Sequence, residues 1–207
     1  MPFLDSSWRR NYKERREIIS MHCEQSQQSR KGCLYVVAVP IGHYDDMTVR
    51  ALQILRQVEL IVSENPPVTR RLLDHHRLST PVTSYGPTDI PQKVAVLIDR
   101  LKRGAQLALV SDCGSPVVAD PGATLVRSAQ KHGIPLVALP GPSALTAAVS
   151  LAGLSCDHFL FLGQLPTTEQ AIRRRLAILP TTNFAVVAFC PTASVLPTLR
   201  MVATLAP

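Results

Sequence analysis

The sequence predicts an α/β chain wound around a mainly parallel sheet. Three observations carry that prediction. Short apolar runs alternate with stretches of helical periodicity, and the runs end in loops rich in Gly and Pro. Apolar residues also make up 46% of the 207 positions against 18% charged, enough to bury both faces of a sheet.

Leu34–Val39 is an apolar run closed by Pro40-Ile41-Gly42, the pattern of a buried strand followed by a loop. Asp45 or Asp46 is placed to cap a helix whose apolar residues Val49, Leu52, Leu55 and Val58 recur at helical spacing. Leu60–Val62 predicts the next strand and Thr69–His76 the next helix. Pro91 suits the first turn of a third helix, whose apolar face is Val94, Leu97, Ile98 and Leu101 and whose stop is Gly104. Leu107–Val110 then reads as a strand, Thr124–His132 as a helix ended by Gly133, and Ile134–Leu139 as a strand. The pattern continues with helix Ser143–Leu151 ended by Gly153, strand Phe159–Leu162, helix Glu169–Leu179, strand Phe184–Phe189 and helix Ser194–Leu205.

These elements suggest three segments. Residues 1–31 hold seven basic and four acidic residues with no apolar run, and are expected to be a basic, disordered tail. Residues 32–154 form an α/β domain. Residues 155–207 form a partial α/β domain, because only two clear strands follow residue 155. No run reaches the ~18 apolar residues a membrane span needs, so no membrane partner is expected. Five scattered cysteines without a C-x-x-C pair argue against a disulfide scaffold or zinc ribbon and for a reducing, cytoplasmic setting. The formal charge of +7 favours anionic partners without naming one.

In open α/β sheets ligands sit beyond the carboxyl ends of strands. Three loops concentrate Gly and Pro there: Pro40 to His43, Ser111 to Pro116 running on to Asp120-Pro121-Gly122, and Pro140 to Ala144. Glycine lets backbone approach a ligand closely, and proline holds the loop shape. Ser143 is placed to cap its helix and present N–H groups to a carboxylate or phosphate. Neither G-x-G-x-x-G nor G-x-x-x-x-G-K-[ST] occurs, which disfavours a dinucleotide dehydrogenase or P-loop enzyme. Gly141-Pro142-Ser143 lacks the second glycine of a nucleophile elbow. His75 and His76 have no spaced metal partner, so no metal is expected, and Cys113 is expected to be a buried, inert thiol.

Taken in order, these loops resemble the tetrapyrrole methylase superfamily, and within it the bacterial branch that 2′-O-methylates a cytidine of small-subunit ribosomal RNA. Val37 to Leu52 follows the pattern V-A-T-P-I-G-N-L-x-D-x-T-x-R-A-L. Val110 to Gly122 follows V-S-D-A-G-T-P-x-I-S-D-P-G with Cys113, Ser115, Val118 and Ala119 substituted. Pro140 to Leu145 matches without change, and Phe159 to Pro166 resembles F-L-F-x-G-F-L-P.

The resemblance implies two α/β domains with S-adenosylmethionine in the cleft between them, the second domain here being truncated. It implies that Gly114, Ser115, Pro116 and Val118 line the methionine and sulfonium side, with Pro40 near the transferred methyl. Ser143 and Ala144 would contact the cofactor from the third loop, and Gln164 and Leu165 from the second domain. The family's E-D-T-R becomes Glu64-Asn65-Pro66-Pro67, leaving Glu64 as the one matching carboxylate and the candidate catalytic group. Its Y-H-E-H-N and E-A-P-H-R segments are replaced around Ser84–Thr88 and Cys190–Ser194. RNA contacts are expected from Arg70, Arg71, Arg173, Arg174 and Arg175. The partners implied are ribosomal RNA or the small subunit and, across an exposed sheet edge, a second copy forming a homodimer. The alternatives are a catalytically degenerate paralogue acting as a binding module, and a tetrapyrrole C-methyltransferase of the same fold.

Overall fold

The computed structural model describes residues 32–85, 90–120, 122–153, 157–177 and 184–205. The proposed tail, residues 1–31, lies outside them, as does part of the Ser84–Thr88 segment. The chain divides into two compact units, one ending at Gly141 and the other running from Pro142. The sequence reading draws its line near residue 155 instead, because a helix–glycine stop there looks like the end of a unit.

Among the described residues of the first unit five strands alternate with four α-helices. The strands are β1 (Cys33–Val37), β2 (Leu60–Ser63), β3 (Val82–Ser84), β4 (Gln106–Val110) and β5 (Leu136–Leu139). Between them run α1 (Val49–Gln57), α2 (Pro66–His75), α3 (Ile90–Lys102) and α4 (Ala123–Lys131). All pairings are parallel, in the order β3-β2-β4-β1-β5. Alternate residues of a strand face opposite sides. Cys33, Tyr35, Val37, Ile61, Ala108 and Val110 pack on one face with Ala51, Leu55, Leu72 and Leu73 from α1 and α2. Leu34, Val62, Leu107 and Leu109 pack on the other with Leu97, Leu101, Leu125 and Ala129 from α3 and α4. The apolar runs are unbroken because both faces are covered.

Three of these helices end in one hydrogen-bond pattern. After α3, Gly104 N donates to Leu101 O (3.1 Å) and Ala105 N to Arg100 O (3.1 Å). After α4, Gly133 N donates to Gln130 O (3.0 Å) and Ile134 N to Ala129 O (3.0 Å). After α2, Arg77 N donates to Asp74 O (3.0 Å) and Leu78 N to Leu73 O (2.8 Å). This arrangement needs a left-handed residue just past the cap. Gly104 and Gly133 meet that at φ 102° and 60°, and at α2 an arginine, Arg77, does so at φ 55°.

Two local expectations are corrected. Neither Asp45 nor Asp46 caps α1. Both lie in a single 3₁₀ turn, Tyr44–Asp46, and the cap is Thr48, whose Oγ1 accepts the Ala51 amide at 3.1 Å. Strand β3 was not anticipated, being three residues long and half-exposed at the sheet's edge.

The second unit holds α5 (Ala144–Leu151), β6 (Phe159–Gln164), α6 (Glu169–Leu176), β7 (Ala185–Phe189) and α7 (Val195–Leu205). β6 and β7 pair in parallel, with an irregularity between Phe161 and Gln164 where Gly163 sits at φ 71°. Leu165, Ile172, Leu176 and Met201 form its core.

Candidate active site

From β1 the chain winds toward β2 and β3, whereas from β4 it winds toward β5. The winding therefore reverses between the adjacent strands β4 and β1, which is the switch point where open α/β sheets hold ligands. The loops leaving these two strands are tied together: Val39 N donates to Gly114 O at 2.9 Å, and Gly114 N to Val39 O at 3.0 Å. Ser111 Oγ steadies the turn by donating to the carbonyls of Cys113 (3.2 Å) and Gly114 (3.1 Å).

Gly114 is buried at φ 73°, where a side chain is strained. Val117 (φ 74°) and Ala119 (φ 63°) adopt the same left-handed region without being glycine. For a β-branched valine this is an outlier, and such strain gathers at ligand loops. The loop after β5 approaches as closely: a Cβ on Gly141 would lie 3.0 Å from the Cβ of Ala38.

Of the candidate residues in this unit, Pro40, Gly114 and Pro116 are buried, Ser115 is half-buried and Val118 is exposed. Glu64, just past β2, is half-buried and lines a small cavity with Tyr85, Ser111, Pro116, Val117 and Asp120. Its volume of about 10 Å³ is room for one water. The Tyr85 hydroxyl is buried there without a hydrogen-bond partner. Burial pushes its titration up, and the Leu125 backbone and Thr124 side chain pull it the other way.

The carboxylates here repel one another. Partial burial, then Glu64, then Asp112 push Asp120 up to about 6, with Ser111 pulling the other way. Glu64 is pushed up by burial and by Asp112. Sequence reasoning named Glu64 and passed over Asp120, which it quoted only as part of a loop; the available signal was a carboxylate inside a glycine–proline turn. Cys113 is exposed, not buried as expected: it lies with exposed Asp112 at the turn between buried Ser111 and buried Gly114. Partial desolvation, Asp120 and Asp112 nevertheless push its thiol up.

The remaining candidates lie in the second unit. Ser143 occupies the N-cap position of α5, but its side chain makes no capping bond; its carbonyl accepts from Ala147 N (3.0 Å) and Thr146 Oγ1 (3.1 Å). Ala144 and Gln164 are exposed. Leu165 is buried in the core, and its amide is spent on Phe189 O at 2.8 Å. Arg173, Arg174 and Arg175 are exposed on α6, with Arg173 holding Glu169 at 3.3 Å. Arg173 also lines a groove of about 420 Å³ with Arg200, a basic residue the sequence reading did not single out. Arg70 and Arg71 are on α2 in the first unit. Among the described residues no helix is long and apolar enough to cross a membrane.

Residues 33–203 match the family model of the tetrapyrrole (corrin/porphyrin) methylases. The chain belongs to this family. Among its curated relatives is a ribosomal RNA small subunit methyltransferase I from Pseudomonas aeruginosa, 43% identical over 145 residues, which cover 70% of this chain and 51% of the relative. The protein of the same name from Thermotoga maritima is 39% identical over 169 residues, covering 82% of this chain and 76% of that one. The chain spans about half the length of the Pseudomonas relative. Among solved structures, a cobalt precorrin-4 methyltransferase of cobalamin biosynthesis superposes with TM-score 0.61 at 16% identity, covering 84% of this chain and 74% of its own. A diphthine synthase does so with TM-score 0.57 at 17% identity, covering 78% and 64%. Both likenesses establish the methylase fold. The fold alone does not single out a substrate, since enzymes with different names share it.

Proposed function

We propose that this tetrapyrrole methylase binds S-adenosylmethionine and methylates the 2′-oxygen of a cytidine in small-subunit ribosomal RNA. The observation that carries the reading is the roughly 40% identity to relatives named for that RNA, over 145 and 169 residues of this chain. The residues present suit the cofactor. Backbone is brought close at Gly114 and Gly141, and Glu64, Asp112 and Asp120 set negative charge where a sulfonium, an ammonium or ribose hydroxyls would lie.

When bound, S-adenosylmethionine supplies an activated methyl group, so the chain's own task is alignment and proton removal. Pro40 and Gly114, held by the Val39–Gly114 bridge, form a rigid wall. Gly114, Ser115, Pro116 and Val118 present short or apolar side chains that leave room for in-line attack. Ser143, Ala144, Gln164 and Leu165 are assigned to the cofactor by the family resemblance alone. A ribose hydroxyl is a weak nucleophile, and Glu64 and Asp120 are the acceptors for its proton; Asp120, ionised above about pH 6, is matched to neutral conditions. Arg70, Arg71 and Arg173–Arg175 hold phosphates. The reading places the protein in the cytoplasm as a homodimer, which sedimentation would test.

Calorimetric titration with S-adenosylmethionine, followed by radiolabelled transfer to unmethylated small ribosomal subunits, tests the reading. Heat and label on a cytidine 2′-oxygen are expected, and Gly114→Val should abolish both. Heat without label would leave a binding module, label on a tetrapyrrole would move the substrate, and neither heat nor label would overturn the proposal. Replacing phosphate-contacting arginines should lower the salt slope of RNA binding by roughly 0.7 each.

A further inference from the structure

Three of the chain's six histidines surround one carboxylate. His75 Nε2 lies 2.7 Å from Asp45 Oδ1, and His43 Nδ1 lies 3.8 Å from Asp45 Oδ2. His76 turns its Nε2 onto the Tyr44 carbonyl oxygen at 2.8 Å. Donor atoms of Asp45, His75 and His76, one from each, all fall within 4.8 Å of one another. The sequence reading found no metal partner for the two histidines because the partner is thirty residues away, on a turn it read as a helix cap.

Neighbouring residues in a regular helix point about 100° apart and do not converge. Here they converge at a helix end. His75 is the last residue of α2, and His76 is its cap, at φ −90° and ψ 8°. Their rings meet edge to face with centroids 4.8 Å apart, and the Tyr44 ring braces His75 at 5.2 Å. The oxygen side is fixed as firmly. Asp46 N donates to His43 O at 3.1 Å, and Asp45 N donates to His43 Nδ1 at 3.3 Å. That second bond spends the His43 lone pair and leaves His75 and His76 as the nitrogen donors.

We infer that Asp45, His75 and His76 form a binding site for a divalent transition-metal ion, of which zinc is the representative case, with solvent completing its coordination. Two imidazoles and one carboxylate are a donor set for zinc, cobalt or nickel, whereas calcium and magnesium favour oxygen throughout. Metal–ligand bonds of ~2.0–2.2 Å place donors about 3.0–3.5 Å apart. The present separations, 2.7 Å at the closest and 4.8 Å at most, bracket that range. Side chains this exposed can rotate to close it. In the bound form the ion replaces the two N–H contacts and staples the turn that follows β1 and Pro40 to the end of α2. This site is independent of the methyl-transfer reading, and its test needs no activity.

The test is calorimetric titration of the full chain with Zn²⁺, and the visible spectrum of the Co²⁺ form. One ion per chain is expected, with a rise in melting temperature on binding. His75→Ala, His76→Ala and Asp45→Asn should each weaken binding by at least about tenfold, since even outer partners of metal ligands are worth roughly 10–100-fold. Cys113→Ser should leave it unchanged. Unfolding curves of the variants without metal establish that all are folded. No heat with Zn²⁺ at millimolar concentration would overturn the inference. So would affinity insensitive to all three substitutions in folded protein, or a sulfur-to-cobalt charge-transfer band.

Discussion

Asp120→Asn should make this protein more stable at neutral pH while removing a carboxylate from its candidate site. Asp120 is held at about 6 against an ordinary 3.8. At about 1.4 kcal/mol per pH unit that displacement is worth ~3 kcal/mol, and because the side chain is only half-buried, solvent screening reduces it to roughly 1 kcal/mol. The folded-state value is raised, so the folded protein keeps its proton to higher pH than the unfolded chain does. Below about pH 4 both states are protonated and no penalty exists. Stability then falls as pH rises, and above about 6 the full penalty is present. Asparagine carries no such charge. Urea unfolding of both proteins should therefore show the variant ahead by roughly 1 kcal/mol at about pH 7.5, the gap narrowing as pH falls and closing only near about pH 3.5. A variant no more stable at neutral pH, or one whose lead is the same at both pH values, would refute the argument.

Two further outcomes follow from local geometry. Arg77→Gly should stabilise the protein by about 1 kcal/mol, since Arg77 holds the left-handed position that glycine holds after α3 and α4; an unchanged or lower melting temperature would count against it. Cys113, exposed but with its thiol pushed up, should alkylate with iodoacetamide more slowly than a free cysteine at about pH 7.5 and speed up as pH rises, while Cys33 stays protected until unfolding; peptide mass mapping reads both.

The elements that the sequence made legible are those whose signal is local. Leu107–Val110 and the α3 face at Val94, Leu97, Ile98 and Leu101 needed only periodicity and a stop at Gly104, and both fall where expected. Strand β3 was missed because Val82-Thr83-Ser84 is short and covered on one side only, which leaves no apolar run to see. Thr48 lost to Asp45 and Asp46 as a cap because all three are good capping residues, and spacing of two or three positions decides among them. The non-local features were invisible. No pattern along the chain shows that Asp45 meets His75, that Glu64 and Asp112 come close enough to repel Asp120, or that Val117 adopts φ 74°. The three candidate loops were legible for a different reason: Gly and Pro mark them in the sequence whatever the partners of their side chains.

The loop from Ser111 to Gly122 is where this chain departs most from what folding alone would select. A valine and an alanine sit in left-handed backbone, a carboxylate is pushed toward neutrality by burial and by two others, and the buried Tyr85 hydroxyl beside them has no hydrogen-bond partner. Each of these costs stability, and Asp120→Asn would recover part of it. Contrast the segments after α3 and α4, where glycine occupies the left-handed position and both closing hydrogen bonds are made. Arg77 after α2 is the one other described non-glycine residue in that region, so two of the three gather in the loop bridged to β1 at the switch point. Strain that can be relieved by an available residue, yet is concentrated at one place, argues that the place answers to a ligand. A stabilised Asp120→Asn protein that also loses methyl transfer would show that trade directly.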